Sequence, residues 1–133
     1  MTPIIQAQGL RMAFGGQEVV RGVDIDLNAG EVHAIVGENG AGKSTVAKLI
    51  AGVHRPTAGT IKLNGSAVVF DAPRQAIDHG IALIHQEPLT FPDLDVAENI
   101  FVGHQPKSKT GVDWPKMRHA AAQLLAEDRK SVV

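Results

Sequence analysis

The 133-residue chain is 44% apolar, enough for one core that buries roughly two-thirds of the surface exposed by the unfolded chain. Thirteen Lys and Arg against fourteen Asp and Glu leave a formal net charge of -1, which excludes a global basic field able to gather nucleic acid or anionic lipid, so any phosphate site must be local. The lack of cysteine excludes a disulfide scaffold and thiolate metal sites, and neither a signal peptide in MTPIIQAQGL nor a window of ~20 apolar residues suggests anything but a soluble chain.

Residues Ile4 to Phe14 read as a first strand, and Val23, Ile25 and Leu27, alternating with Asp24 and Asp26, read as a second with one buried face. The two are expected to be antiparallel and partly solvated. After the turn Asn28-Ala29-Gly30, Val32 to Val36 is nearly continuous in apolar residues, the pattern of a central parallel strand. Lys43 to Ala51 consists mostly of good helix formers, with Gly52 and Pro56 as stop signals.

Thr60 to Leu63 and Ala67 to Phe70 flank Asn64-Gly65, a strong hairpin signal. Asp71 is placed to cap a helix with Pro73 in its first turn, running to His79 and Gly80, and Ile81 to Ile84 reads as another short strand. Beyond it the pattern turns to helix and loop: a short helix over Asp95 to Phe101, a polar loop from Gly103 to Gly111, and a last helix whose apolar face carries Trp114, Met117, Ala121, Leu124 and Leu125. The expected division is therefore 1–86 and 87–133, with a helical subdomain starting in the second part.

Between the apolar run and the first helix lies GENGAGKST, residues 37 to 45. A strand, G-x-x-x-x-G-K-S and a helix together make a phosphate-binding loop, because backbone N–H groups and the helix N-terminus aim positive charge at phosphate oxygens. At Gly37, Gly40 and Gly42 a side chain would obstruct the bent loop or the approach of the anion. Lys43 is expected to reach the β- and γ-phosphates and Ser44 to ligate Mg²⁺, while N–H groups from Gly40 through Ala41, Gly42, Lys43 and Ser44 to Thr45 cradle the β-phosphate. Glu38 and Asn39 complete the same loop.

The wider wording, GLRMAFGGQEVVRGVDIDLNAGEVHAIVGENGAGKSTVAKLIAGVHRPTAGTIKLNG followed by IALIHQEPLTFPDLDVAENIFVG, resembles the ATP-binding subunits of ABC transporters from residue 5 to about 126. The phrases GEVHAIVGENGAGKST and HQEP are most similar to those of importers of ribose, xylose and related sugars. The resemblance implies an α/β fold of the P-loop NTPase type: a core parallel sheet, an N-terminal antiparallel β subdomain and the start of a helical subdomain, truncated.

It also implies ATP and Mg²⁺ as cofactors, and an ATPase coupled to sugar import at the cytoplasmic face of the inner membrane. The implied partners are transmembrane permease subunits, a sugar-binding protein and a second ATPase copy or domain, with no nucleic acid. Phe14 falls at the family position of the aromatic that stacks on adenine, a role suited to a flat apolar ring. Gln86 matches the glutamine that touches Mg²⁺ and the attacking water, so the resemblance gives catalytic roles to Lys43 and Gln86 and metal contacts to Ser44 and Gln86.

The family's serine- and glycine-rich signature, its apolar strand ending in Asp-Glu and its switch histidine have no counterpart, and Glu127-Asp128 sits in a helical pattern. The final DRKSVV leaves the family wording where a further loop is expected to begin. The chain is accordingly expected to bind nucleotide without efficient turnover. A small kinase is disfavoured because Arg118 and Arg129 are the only arginines after Gln86. A non-transport ABC ATPase shares the same loop and would be supported by basic insertions, and none occurs; it and an importer ATPase for a non-sugar solute stay as the alternatives. His33, His54, His79, His85, His104 and His119 lack close ligand spacing, which argues against a zinc site.

Overall fold

A computed structural model describes residues 2–131. Strands β1 (Ile5–Phe14) and β2 (Gln17–Leu27) form an antiparallel hairpin in which Phe14 faces Gln17 across the turn. Burial along β1 does not follow strict alternation, because Ala7 and Leu10, three residues apart, are both fully buried. The ladder shifts register between them; the extra residue of the bulge returns Leu10 to the inner face, which period 2 alone would have denied it. The backbone N–H of Gly9 in this bulge donates to Asp24 Oδ1 at 2.6 Å.

Helix α1 (Lys43–Ile50) follows the phosphate-loop sequence, and strands β3 (Ala58–Leu63) and β4 (Ser66–Val68) form the second hairpin. Asn64 and Gly65 turn this hairpin at φ 49° and 83°, the paired left-handed conformations that match strand twist. All pairings in the four-stranded sheet are antiparallel, in the order β2-β1-β3-β4. Ala7, Leu10, Val20 and Ile61 from the sheet close on Val46 and Leu49 of α1. Burial of each large side chain contributes about 1.5–3 kcal/mol.

The central parallel strand expected at 32–36 and the short strand expected at 81–84 are not formed. Among the described residues neither segment joins a ladder, and Val32, Val36 and Ile84 are more than nine-tenths exposed, at 98%, 91% and 93%. A strand of this composition is stable where neighbours pair both its edges and helices cover both its faces, and local apolarity supplies neither. Just before the first run, Glu31 accepts hydrogen bonds from the backbone and side-chain N–H of Asn28 and faces His33 Nδ1 at 3.0 Å. The bond with His33, then those from Asn28, hold its carboxyl below the usual range.

Helix α2 (Pro73–Asp78) begins on Ala72, not on Asp71 as expected. Asp71 lies one residue too early. Its backbone N–H donates to Gln75 Oε1 at 2.8 Å and its carboxylate faces Arg55 at 3.5 Å, while Pro73 occupies the first helical position.

The chain divides after Ile84 into two compact units. In the second, α3 (Val96–Ile100) carries a capping box: Glu98 N–H donates to Asp95 Oδ1 and Asp95 N–H donates to Glu98 Oε2, both at 2.8 Å. The Asn99 amide donates to the carbonyls of Phe91, Leu94 and Asp95, each at 3.0 Å, and accepts from Phe91 N–H at 2.8 Å. The segment expected as a plain polar loop contains a small hairpin, β5 (Lys107–Ser108) with β6 (Gly111–Val112).

Helix α4 (Trp114–Ser131) packs Met117 and Ala121 against Ala97, Phe101 and Val112. The rest of its expected apolar face, Trp114, Leu124 and Leu125, stays about half exposed. The helix continues through Asp128, Arg129 and Lys130, so no loop begins at the final DRK; Val132 and Val133 lie outside the described residues. No described helix is long and apolar enough to cross a membrane.

Candidate nucleotide-binding site

The loop closes on Lys43. Glu38 O accepts from Ala41 N–H at 3.1 Å, folding residues 38–41 into a turn. The Lys43 ammonium reaches back to donate to the carbonyls of Gly37, at 2.5 Å, and Glu38, at 2.7 Å, so one charged side chain ties both ends of the loop together. These are charge-assisted bonds, stronger than neutral ones. The ammonium is thereby held over the loop that its own backbone forms.

Gly42 is the residue on which this arrangement turns. Its φ of 88° is left-handed, and a Cβ there would lie 2.9 Å from the Val19 carbonyl oxygen, so a side chain would be strained and would collide with β2. Gly42 is also the N-cap of α1, its carbonyl accepting from Val46 N–H at 3.0 Å. Ahead of that bond the helix start leaves N–H groups without intrahelical acceptors, and the helix dipole adds positive potential. At Gly37 a Cβ would come within 3.2 Å of the Ala41 Cβ, while Gly40, at φ 84°, makes the turn itself.

Gly37, Glu38, Asn39, Gly40, Ala41 and Ser44 are exposed, whereas Gly42, Lys43 and Thr45 are half-buried. The loop thus offers backbone and one hydroxyl outward while Val46 and Leu49 anchor its helix in the core. A polar recess lined by Gln17, Glu18, Val19, Val20, Arg21, Val23, Gly40, Ala41 and Val46 adjoins it. This combination of backbone donors, a fixed ammonium and a helix start can grip phosphate.

Phe14 stands at the last position of β1, 43% exposed, its ring against His54 with centroids 5.2 Å apart. It belongs to the same unit as the loop. Gln86 lies in the second unit, in an exposed bend, so the predicted site residues are distributed over both units. Among the described residues no group of three His, Asp or Glu side chains is placed to hold a metal; the Ser44 hydroxyl and the Gln86 amide oxygen, each in its own unit, are neutral oxygens of the kind a hard cation takes beside phosphate. His54 carried no signal in the sequence, since its ring partner is forty residues away, farther than any local periodicity reaches.

The family model described as ABC transporter matches residues 20–132. A ribose import ATP-binding protein, RbsA 1, of Streptomyces coelicolor is 49% identical over 124 residues, covering 92% of this chain and 25% of that protein. A putative ribose/galactose/methyl galactoside import ATP-binding protein of Rhizobium meliloti is 46% identical over 125 residues, covering 94% and 24%. The chain thus spans about a quarter of the length of the curated relatives it matches.

Among solved structures, a nucleotide-free ATP-binding cassette from an ABC transporter superposes with a TM-score of 0.70 at 28% identity, covering 82% of this chain and 44% of that one. An ATP-binding cassette in its ADP conformation gives 0.68 at 28% identity, covering 77% and 41%. These neighbours place the α/β, P-loop character of the fold beyond the antiparallel sheet alone. With the phosphate-loop geometry, the family match over most of its length and relatives at nearly half identity, the chain belongs to the ABC transporter family of ATP-binding proteins.

Proposed function

We propose that this chain is the nucleotide-gripping part of an ATPase subunit that couples ATP binding and hydrolysis to the import of a sugar. The observation that carries the reading is the closed phosphate loop, with the Lys43 ammonium held between Gly37 and Glu38 at the start of α1. The relatives' names, which speak of import of ribose and galactosides, support the sugar class.

In this reading Lys43 exchanges its loop carbonyls for β- and γ-phosphate oxygens, a stronger partner for an ammonium. The N–H groups of Gly40, Ala41, Gly42, Lys43, Ser44 and Thr45 cradle the β-phosphate, and Gly37, Glu38 and Asn39 shape the approach. Phe14 stacks on the base without reading its edges, so adenine and guanine bind alike. Ser44 and Gln86 would each offer a neutral oxygen to Mg²⁺, which would offset charge on the phosphate oxygens. Gln86 also orients the attacking water with its neutral amide.

The proposed assembly includes transmembrane permease subunits, a sugar-binding protein and a second ATPase copy, with the subunit peripheral on the cytoplasmic face of the inner membrane. The proposed domain division is at residues 86 and 87, so that Gln86 ends the nucleotide part and the helical part begins beside it. Calorimetric titration with Mg²⁺ and ATP tests the core of this reading. Lys43→Ala is expected to weaken binding about ten- to a hundredfold, the worth of hydrogen bonds from one charged group; equal affinity of the two proteins would overturn it.

A further inference from the structure

His54 lies just beyond α1. The N–H groups of Val53 and His54 both donate to the Lys48 carbonyl, at 2.9 and 3.4 Å, which fastens this residue to the last turn of the helix. Its imidazole meets the Phe14 ring at a centroid distance of 5.2 Å with the planes inclined by 75°. That is an edge-to-face pair within the range where ring quadrupoles attract.

The ladder with Gln17 fixes the backbone of Phe14 at the end of β1, but the residue is 43% exposed, and its side chain has several staggered wells among which a ring contact can select. His54 makes such a contact. One helix, about 12 Å long at 1.5 Å per residue, therefore carries the phosphate-gripping Lys43 at its first residue and, just past its end, the contact that sets the aromatic ring.

We propose that His54 is a positioning residue for the nucleotide base, holding Phe14 as a stacking face at a set place relative to the phosphate loop. The inference rests on the reading of Phe14 as the base-stacking residue. A purely structural role is the competing account, since His54 also borders an apolar cavity of about 240 Å³ with Leu49 and Phe70.

The two are separated by titrating the whole 133-residue chain with ADP and, in parallel, with inorganic tripolyphosphate, which has phosphates and no base. His54→Ala is expected to weaken ADP about three- to tenfold, the worth of an aromatic pair, and to leave tripolyphosphate unchanged. His54→Phe, which restores an aromatic edge, is expected to recover ADP affinity. His54→Leu keeps bulk without that edge and is expected to behave like His54→Ala, which keeps the test decisive if the alanine variant melts early.

Equal losses for ADP and tripolyphosphate, or failure of His54→Phe to restore what His54→Leu loses, would overturn the proposal in favour of a structural role. If Phe14→Ala weakens ADP while both His54→Ala and His54→Leu leave it unchanged, base stacking stands and the role of His54 falls. If Phe14→Ala itself leaves ADP affinity unchanged, the stacking reading falls and takes this inference with it.

Discussion

The two units of the chain close their interiors by different means. Before Ile84, six buried side chains from Ala7 to Ile61 converge from three strands and a helix, so the core depends on contacts between residues far apart in sequence. After His85 the buried cluster is Ala97, Met117 and Ala121, and order in the segment leading to α3 comes from local hydrogen bonds: the Asp95–Glu98 capping box and the four bonds of Asn99. The first unit is held by apolar burial, which is cooperative and large; the second leans on polar bonds, each of which contributes only about 0.5–1.5 kcal/mol net. The phosphate loop stands on the first kind of support, whereas Gln86 lies in an exposed bend of the second unit.

The sharpest way to break this contrast is at Leu10, fully buried beneath the bulge. Leu10→Ala is expected to cost about 3–5 kcal/mol in urea unfolding followed by circular dichroism, because a cavity is left among strands that cannot collapse freely. A cost under about 1 kcal/mol would mean that the sheet core is not the main support of its unit. Met117, also fully buried, is expected to lose less on truncation to alanine, about 2–3 kcal/mol. Half-exposed neighbours on α4 leave room to relax, and fluorescence of Trp114, the single tryptophan, reports this unit.

Asp95→Ala is expected to cost about 1 kcal/mol, the usual worth of an N-cap, read as faster hydrogen exchange at the Glu98 amide. No change at that amide would deny local bonds the weight given to them here. The smallest effect is expected at Val36, 91% exposed: Val36→Ser should shift the unfolding free energy of this chain by less than about 0.5 kcal/mol. A loss above about 2 kcal/mol would show the 32–36 segment buried in solution, as a core strand.

The phosphate loop was legible in the sequence because its chemistry is local. Nine consecutive residues carry the turn, the ammonium and the helix start: Gly40 and Gly42 are left-handed and Lys43 folds back onto the carbonyls of Gly37 and Glu38. The hairpin turn at Asn64-Gly65, the short helix near Asp95 and the paired first strands were legible for the same reason. Asp71 was misjudged by one position, since capping depends on where the backbone leaves the extended region, and Pro73 set that point at Ala72.

By itself, then, the sequence determined much that depends on neighbours along the chain: the loop ahead of α1, the Asn64-Gly65 turn and the family wording. Only the tertiary structure decided that a bulge at Gly9 turns Leu10 inward, that His54 meets Phe14 across forty residues, and that 32–36 and 81–84 join no ladder. The physical reason is one of range. Turns, caps and helix starts are set by dihedral preferences and hydrogen bonds within a few residues, whereas strand pairing, ring contacts and burial require a partner that the local pattern does not specify.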